Sequence, residues 1–203
     1  MFIAHRGIVK EGAVENSLAS FKLTIDDPKY IGFECDVRET LDKKYIICHD
    51  AVYKNHIIKY TNLDKLKYAG LTTLDEVLDL NTSKIILLEL KDFNMDLENF
   101  SNIINNSNKN IYIMSFSKEL IKNIKKYIIN AKCGVLNYIF NSDHNYDTLD
   151  FIALLNNTIT TDIINYFKKK KIFLFSYGIL DLKKIEPNIY YIVDNNAKYM
   201  LKY

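Results

Sequence analysis

The residues able to do chemistry gather in the first half of this chain and recur at short, regular spacings. Glu34 and Asp36 are separated by one residue inside the apolar run Ile31–Val37, and Glu89 and Lys91 are spaced alike at the end of Ile85–Leu90. Alternate residues of an extended strand project to one side, so Glu34 and Asp36 share a face and Phe33, Cys35 and Val37 share the other. Carboxylates in apolar strands are costly to bury unless something pairs with them, and a third acid on the next strand adds repulsion. A divalent cation relieves both costs, and a thiolate-free, oxygen-only donor set selects a hard ion such as Mg²⁺, Ca²⁺ or Mn²⁺. The competing arrangement for each acid is an ion pair with a neighbouring Arg or Lys.

Two histidines have neighbours that suit catalysis: His5 beside Arg6, and His49 beside Asp50. An imidazole near neutral pKa exchanges protons at physiological pH, and two of them could activate a nucleophile and protonate a leaving group on opposite sides of a phosphodiester. Arg6 and Lys91 add the cationic donors that phosphate oxygens require. A metal, two bases and two cations describe phosphoryl transfer better than hydride or acyl chemistry. No G-x-S-x-G, P-loop or G-x-G-x-x-G sequence competes with that reading. His56 and His144 lack comparable neighbours and are assigned to the surface.

These groups need a scaffold. Eight short apolar runs read as strands: Phe2–Ala4, Ile31–Val37, Ile85–Leu90, Ile111–Met114, Cys133–Leu136, Phe151–Leu155, Ile172–Phe175 and Tyr190–Val193. Most are continuous, which suits parallel strands buried on both faces. Amphipathic stretches lie between them, near Asn16–Ile25, Thr73–Leu78, Asp96–Asn105, Ser117–Tyr127, Thr160–Lys169, Leu180–Ile185 and Asn195–Lys202, while Asn141–Leu149 reads mainly as loop. Thr73 with Glu76 three residues on forms a capping box, and Asn16 or Ser17 caps the first helix. Eight β-then-α units predict a small α/β fold, a (β/α)₈ barrel with short loops and its active site at the C-terminal strand ends. An extra strand, Tyr45–Cys48, is expected to return His49 over the mouth as an elaboration of the loop after the second strand.

The chain has 203 residues, 48% of them hydrophobic, enough for one domain spanning 1–203 with a sizeable core. A formal charge of +2 gives no electrostatic case for nucleic acid. The basic run Lys168–Lys171 is read as a solvated helix end. Three unpaired cysteines, Cys35, Cys48 and Cys133, fit a reducing compartment rather than a disulfide framework. The start, Met1 to Arg6, lacks the shape of a secretory signal, and no apolar run approaches the roughly 20 residues that span a bilayer. A cytoplasmic protein without stable membrane insertion is expected.

In order and spacing, His5-Arg6-Gly7, Glu15-Asn16-Ser17, Glu34-Cys35-Asp36-Val37, His49-Asp50 and Leu88-Glu89-Leu90-Lys91 resemble the glycerophosphodiester phosphodiesterase family. Thr73–Leu78 and Ser115-Phe116 extend the likeness. The resemblance implies that His5 and His49 are the acid/base pair, that Glu34, Asp36 and Glu89 ligate one Mg²⁺ or Ca²⁺, and that Arg6 and Lys91 hold the phosphate. It implies attack by a neighbouring substrate hydroxyl, a cyclic phosphate then opened by water, and release of glycerol 3-phosphate and an alcohol. Phe175-Ser176-Tyr177-Gly178 stands where the family carries a tryptophan on strand seven, which makes Phe175 the candidate aromatic wall for substrate. Asp194 is similar to the family's last-strand aspartate and is read as structural. The short segment from Asp50 to Thr73 leaves an open mouth, so a lysophospholipid or a small glycerophosphodiester is the expected partner. A lysophospholipase D or sphingomyelinase D-like enzyme, releasing a cyclic phosphate, and a non-catalytic phosphate-binding barrel are the alternatives.

Overall fold

The computed structural model describes residues 1–179 and 185–194 of the chain. Strands β1 (Phe2–Ala4) and β2 (Tyr30–Glu39) are followed by four short strands outside the barrel wall: β3 (Tyr45–Ile47), β4 (Val52–Tyr53), β5 (His56–Ile57) and β6 (Thr72–Thr73). The wall resumes with β7 (Ile85–Leu90), β8 (Ile111–Ser115), β9 (Lys132–Asn137), β10 (Phe151–Leu155), β11 (Phe173–Tyr177) and β12 (Ile189–Val193). The eight wall strands are parallel, and β1 pairs with both β12 and β2, which closes the barrel. Each expected strand is present. β3 runs antiparallel to β2, as Val37↔Ile47 and Glu39↔Tyr45 show, and β6 pairs with β3 in turn.

The helices start where side chains satisfy their first N–H groups. In α1 (Leu18–Asp26) the Ser17 hydroxyl accepts from Ser20 N, and the Ser20 hydroxyl accepts from Ser17 N. The elaboration after β2 carries α2 (Leu63–Tyr68), and α3 (Leu74–Leu78) opens on the Thr73–Glu76 box. Asp96, Ser117 and Thr160 cap α4 (Leu97–Asn105), α5 (Lys118–Ile124) and α6 (Thr161–Lys170). Residues 138–150 hold no helix. There Tyr146, fully buried among Phe140 and Phe167, fills the space with aromatic packing. The expected helix Asn195–Lys202 and nearly all of Leu180–Ile185 lie outside the described residues.

Outward side chains such as Phe33, Cys35, Val37, Ile86 and Leu88 form the layer under the helices. Inward ones such as Ile3, Ile85, Leu87, Tyr112, Phe151 and Phe175 plug the lower barrel. On β7 the inward row reads Ile85, Leu87, Glu89, and on β2 it reads Gly32, Glu34, Asp36. Both rows turn from apolar to acidic toward the C-terminal mouth. At Gly32 a Cβ would stand 2.3 Å from the Ile85 carbonyl oxygen, so only glycine lets β2 and β7 approach this closely. No helix among the described residues is long and apolar enough to cross a membrane.

Candidate active site

The strand register assembles the acids. Asp36 is paired with Glu89 across β2 and β7, and Glu34, two residues earlier, is opposite Leu87. One ligand oxygen from each of Glu34, Asp36 and Glu89 lies within 4.8 Å of the others, and all three residues are buried. Glu34 Oε1 and Asp36 Oδ1 have no hydrogen-bond partner. Burial pushes the Glu34 carboxyl far above the usual carboxylate range, and the negative charges of Asp36 and Glu89 add to the effect against the opposing His5. Two buried oxygens without a hydrogen bond, in an all-oxygen cluster, fit a hard divalent cation. The cations of the site also touch these acids. Arg6 Nε lies 3.2 Å from Asp36 Oδ2, and Lys91 Nζ lies 2.7 Å from Glu89 and 3.6 Å from Asp36. Cluster formation and ion pairing, alternatives for each acid in the sequence, therefore coexist.

His5 continues β1, beside the last wall strand. Its N–H donates to the Val193 carbonyl, and its Nδ1 is 2.6 Å from Asp194 Oδ1. Its Nε2 lies 3.8 Å from Glu34 Oε2. Burial alone would lower the His5 pKa, but the bond to Asp194 and the charge of Glu34 outweigh it and raise the value to about 9. Asp194, expected to be structural, thus touches a candidate acid/base directly.

His49 reaches the mouth along β3. Cys48 N donates to the Asp36 carbonyl at 2.9 Å, placing the next residue beside the acidic strand. His49 Nδ1 is 2.8 Å from Asp50 Oδ1, and the same bond lowers the Asp50 pKa, with Arg6 and Arg38 contributing charge. Each imidazole therefore has a carboxylate on Nδ1.

Two further residues hold this arrangement. Asn16 grips Asp36 twice, its Nδ2 donating to Oδ2 at 2.8 Å and its Oδ1 accepting from Asp36 N at 3.3 Å. Its φ of 55° lies in the left-handed region that asparagine tolerates. Ser17, not Asn16, is the helix cap. Arg38 donates through Nε and Nη2 to the His49 carbonyl, at 3.0 and 2.7 Å, and through Nη1 to Asp92 at 2.6 Å. Arg6 also bonds Glu15 at 3.1 Å, and its backbone N–H donates to Glu34 Oε2.

Phe175 is not at the mouth. It is fully buried in the lower barrel, stacked on Tyr190 with ring centroids 4.6 Å apart. The aromatic ring one layer higher on β11 is Tyr177, which is half-buried, donates to the Asn137 carbonyl at 3.2 Å and meets Phe116 edge-on. Burial raises its pKa to about 12, helped by Tyr138 and the charge of Glu89. Phe116 in turn packs on Tyr138, and both are exposed. Tyr53 packs against the elaboration's own small core around Ile46, Ile58 and Leu66. His56 is half-buried in β5, and His144 is exposed against Lys118. Lys168–Lys171 is the exposed end of α6, as expected.

The (β/α)₈ barrel brings its oxygen donors and both imidazoles to the C-terminal mouth, the face where such barrels carry their active sites. The sequence model of the glycerophosphoryl diester phosphodiesterase family matches residues 5–186, and the chain belongs to that family and is a phosphoric diester hydrolase. No curated protein matches it. Among solved structures it is similar to the glycerophosphodiester phosphodiesterase of Thermotoga maritima, with a TM-score of 0.75 and 21% identity over 99% of this chain and 96% of that one. A glycerophosphodiester phosphodiesterase of Parabacteroides distasonis gives a TM-score of 0.73 and 18% identity, over 98% and 93% of the two chains. A phosphodiesterase of Oleispira antarctica, solved in complex with the product sn-glycerol-3-phosphate, gives 0.74 and 19% identity, over 89% and 85%.

Proposed function

We propose that this chain hydrolyses glycerophosphodiesters to glycerol 3-phosphate and an alcohol, using one Mg²⁺ or Ca²⁺ held by Glu34, Asp36 and Glu89. The observation that carries the reading is the three-acid cluster, with two buried oxygens left without a hydrogen bond. The cation, when bound, would polarise a phosphoryl oxygen and offset the charge that develops on it. Arg6 and Lys91, at the edge of the acid cluster, would supply cationic donors to the remaining phosphate oxygens. One imidazole of the pair His5 and His49 takes the proton of the attacking glycerol hydroxyl as its P–O bond forms. The other gives a proton to the departing alcohol as its P–O bond breaks, and in a second step water opens the cyclic phosphate with the proton roles reversed. Asp194 and Asp50 keep each ring's Nε2 directed at the reacting atoms.

The Oleispira antarctica relative with bound glycerol phosphate supports this product class. Release of glycerol 3-phosphate from glycerophosphocholine by the Mg²⁺- or Ca²⁺-loaded chain tests the proposal. His5→Ala and His49→Ala should each abolish it. Folded variants that keep parental turnover would remove both histidines from catalysis and favour a barrel that only binds phosphate.

A second reading, a lysophospholipid as substrate, is favoured by the exposed rings of Phe116 and Tyr138 beside Tyr177 at the mouth. Comparing turnover of lysophosphatidylcholine with glycerophosphocholine, with products followed by ³¹P NMR, separates the two. Accumulation of cyclic phosphate would mark the lysophospholipase D-like route.

A further inference from the structure

The loop 138–150 takes the place where a barrel helix would cover the outer face of β9 and β10, and it leaves a cavity of about 450 Å³ against α5. That volume lies within the usual range for a small-molecule pocket. Its wall is basic. Lys118, Lys122, Lys125 and Lys126 line it from one side, following the length of α5. Its floor is apolar, made by Val135 of β9, Leu149 and the buried Tyr146. Of the four ammonium groups only Lys125 has a carboxylate partner among the described residues, Asp150 at 2.8 Å, and the same Asp150 oxygen already accepts from Cys133 N. The nearby Asp147 is taken by Lys170. Lys118 sits against the His144 ring and over the Tyr146 ring, Lys126 bonds the Asn123 amide, and Lys122 has no acid within ion-pair distance among the described residues.

Lys118, Lys122 and Lys126 follow one another at four-residue spacing and repel, and the only ion pair offsetting the cluster among the described residues is Lys125 with Asp150. An anion would offset the rest. From this juxtaposition of four lysines and an apolar floor we infer that the cavity is a second ligand site, apart from the catalytic mouth, for a small amphiphile with one phosphate or carboxylate head and an apolar tail. The head lies among the lysine ammonium groups, and the tail runs over Val135 and Leu149. The site is separate from the hydrolytic machinery, since none of its residues touches Glu34, Asp36, Glu89 or either catalytic imidazole.

Calorimetric titration of the full chain with decyl phosphate and with decanoate, each below its micelle concentration, tests the inference. One molecule per chain should bind saturably, and the better of the two identifies the head group. Decanol and inorganic phosphate should each bind at least about tenfold more weakly, because each lacks one half of the complement. Lys122→Glu combined with Lys126→Glu should weaken binding about tenfold or more while leaving phosphodiester turnover and the unfolding temperature unchanged. Glu34→Gln combined with Glu89→Gln, at the mouth, should leave the affinity as it was. Absence of saturable binding, undiminished binding by the lysine double variant, or loss of binding only in the mouth variant would each overturn the site.

Discussion

His5 Nδ1 and Asp194 Oδ1 lie 2.6 Å apart, although the two residues are 189 positions apart in the chain. The bond joins the first wall strand to the last, at the seam where the barrel closes. Ala4 is paired with Val193 in the ladder, so the residues that follow, His5 and Asp194, emerge side by side at the mouth. Barrel closure and imidazole orientation are therefore one structural event.

Asp194→Asn keeps the shape of the partner and removes its charge, so Asp194 is tested as a positioning residue. The kcat for glycerophosphocholine should fall about 10²-fold, the scale of a misdirected general acid or base, with KM changed little. The downfield imidazole N–H proton resonance of the parent should disappear. A purely structural role would instead lower the unfolding temperature and leave kcat intact.

The Asn16 amide supports the acid cluster through its two bonds to Asp36. Asn16→Gly tolerates the left-handed backbone and deletes only the amide. Outer-shell losses of this kind typically cost about 10–100-fold in metal affinity. Calorimetric titration with Mg²⁺ or Ca²⁺ should show that loss, with an unchanged fold by circular dichroism.

Arg38 joins the His49 carbonyl to Asp92, so it pins the segment that brings the second imidazole to the mouth. Arg38→Ala leaves those acceptors with lost charge-assisted bonds and should cost about 2 kcal/mol of stability in a denaturant titration. Turnover should fall because His49 is no longer held, whereas Lys67→Ala, which removes a largely exposed Lys67–Glu76 pair, should change little.

The metal-free protein should show a proton in the cation's place. The Glu34 pKa is raised from 4.5 to about 8 by burial and by Asp36, so the folded state holds that proton more tightly than the unfolded chain does. Its contribution to stability is therefore complete below about pH 4.5 and is lost as pH rises through about 8. Thermal unfolding in EDTA should show stability falling across that window, and a Glu34→Gln variant should flatten the fall. Added Mg²⁺ or Ca²⁺ should raise the unfolding temperature more at the alkaline end than at the acid end, because binding there displaces no proton.

Much of the scaffold was legible because parallel wall strands are buried on both faces and so read as unbroken apolar runs. The acids were legible for the opposite reason: Glu34, Asp36 and Glu89 interrupt those runs at the two-residue period of a strand. What local pattern could not supply was height within the barrel. Phe175 and Tyr177 share the inward face of β11, and only the ladder, with Phe175 opposite Ala153 and Tyr190, shows that Phe175 belongs to the plug. Arg38 and Asp194 act through contacts made by the return of β3 and by closure of β1 on β12, and Asn16 acts through the loop after β1 folding onto β2. Their signals in the sequence were only an asparagine in a Glu-Asn-Ser triplet, a basic residue two positions after Asp36, and an aspartate ending the last strand.

The shared cation is the claim on which the rest depends, and direct titration tests it. Metal-free chain titrated calorimetrically with Mg²⁺ and with Ca²⁺ should bind one ion saturably, and phosphodiester turnover should return in step with occupancy. Glu34→Gln and Glu89→Gln variants should lose both. Turnover that persists in EDTA, or saturable binding that survives replacement of these carboxylates, would contradict the account.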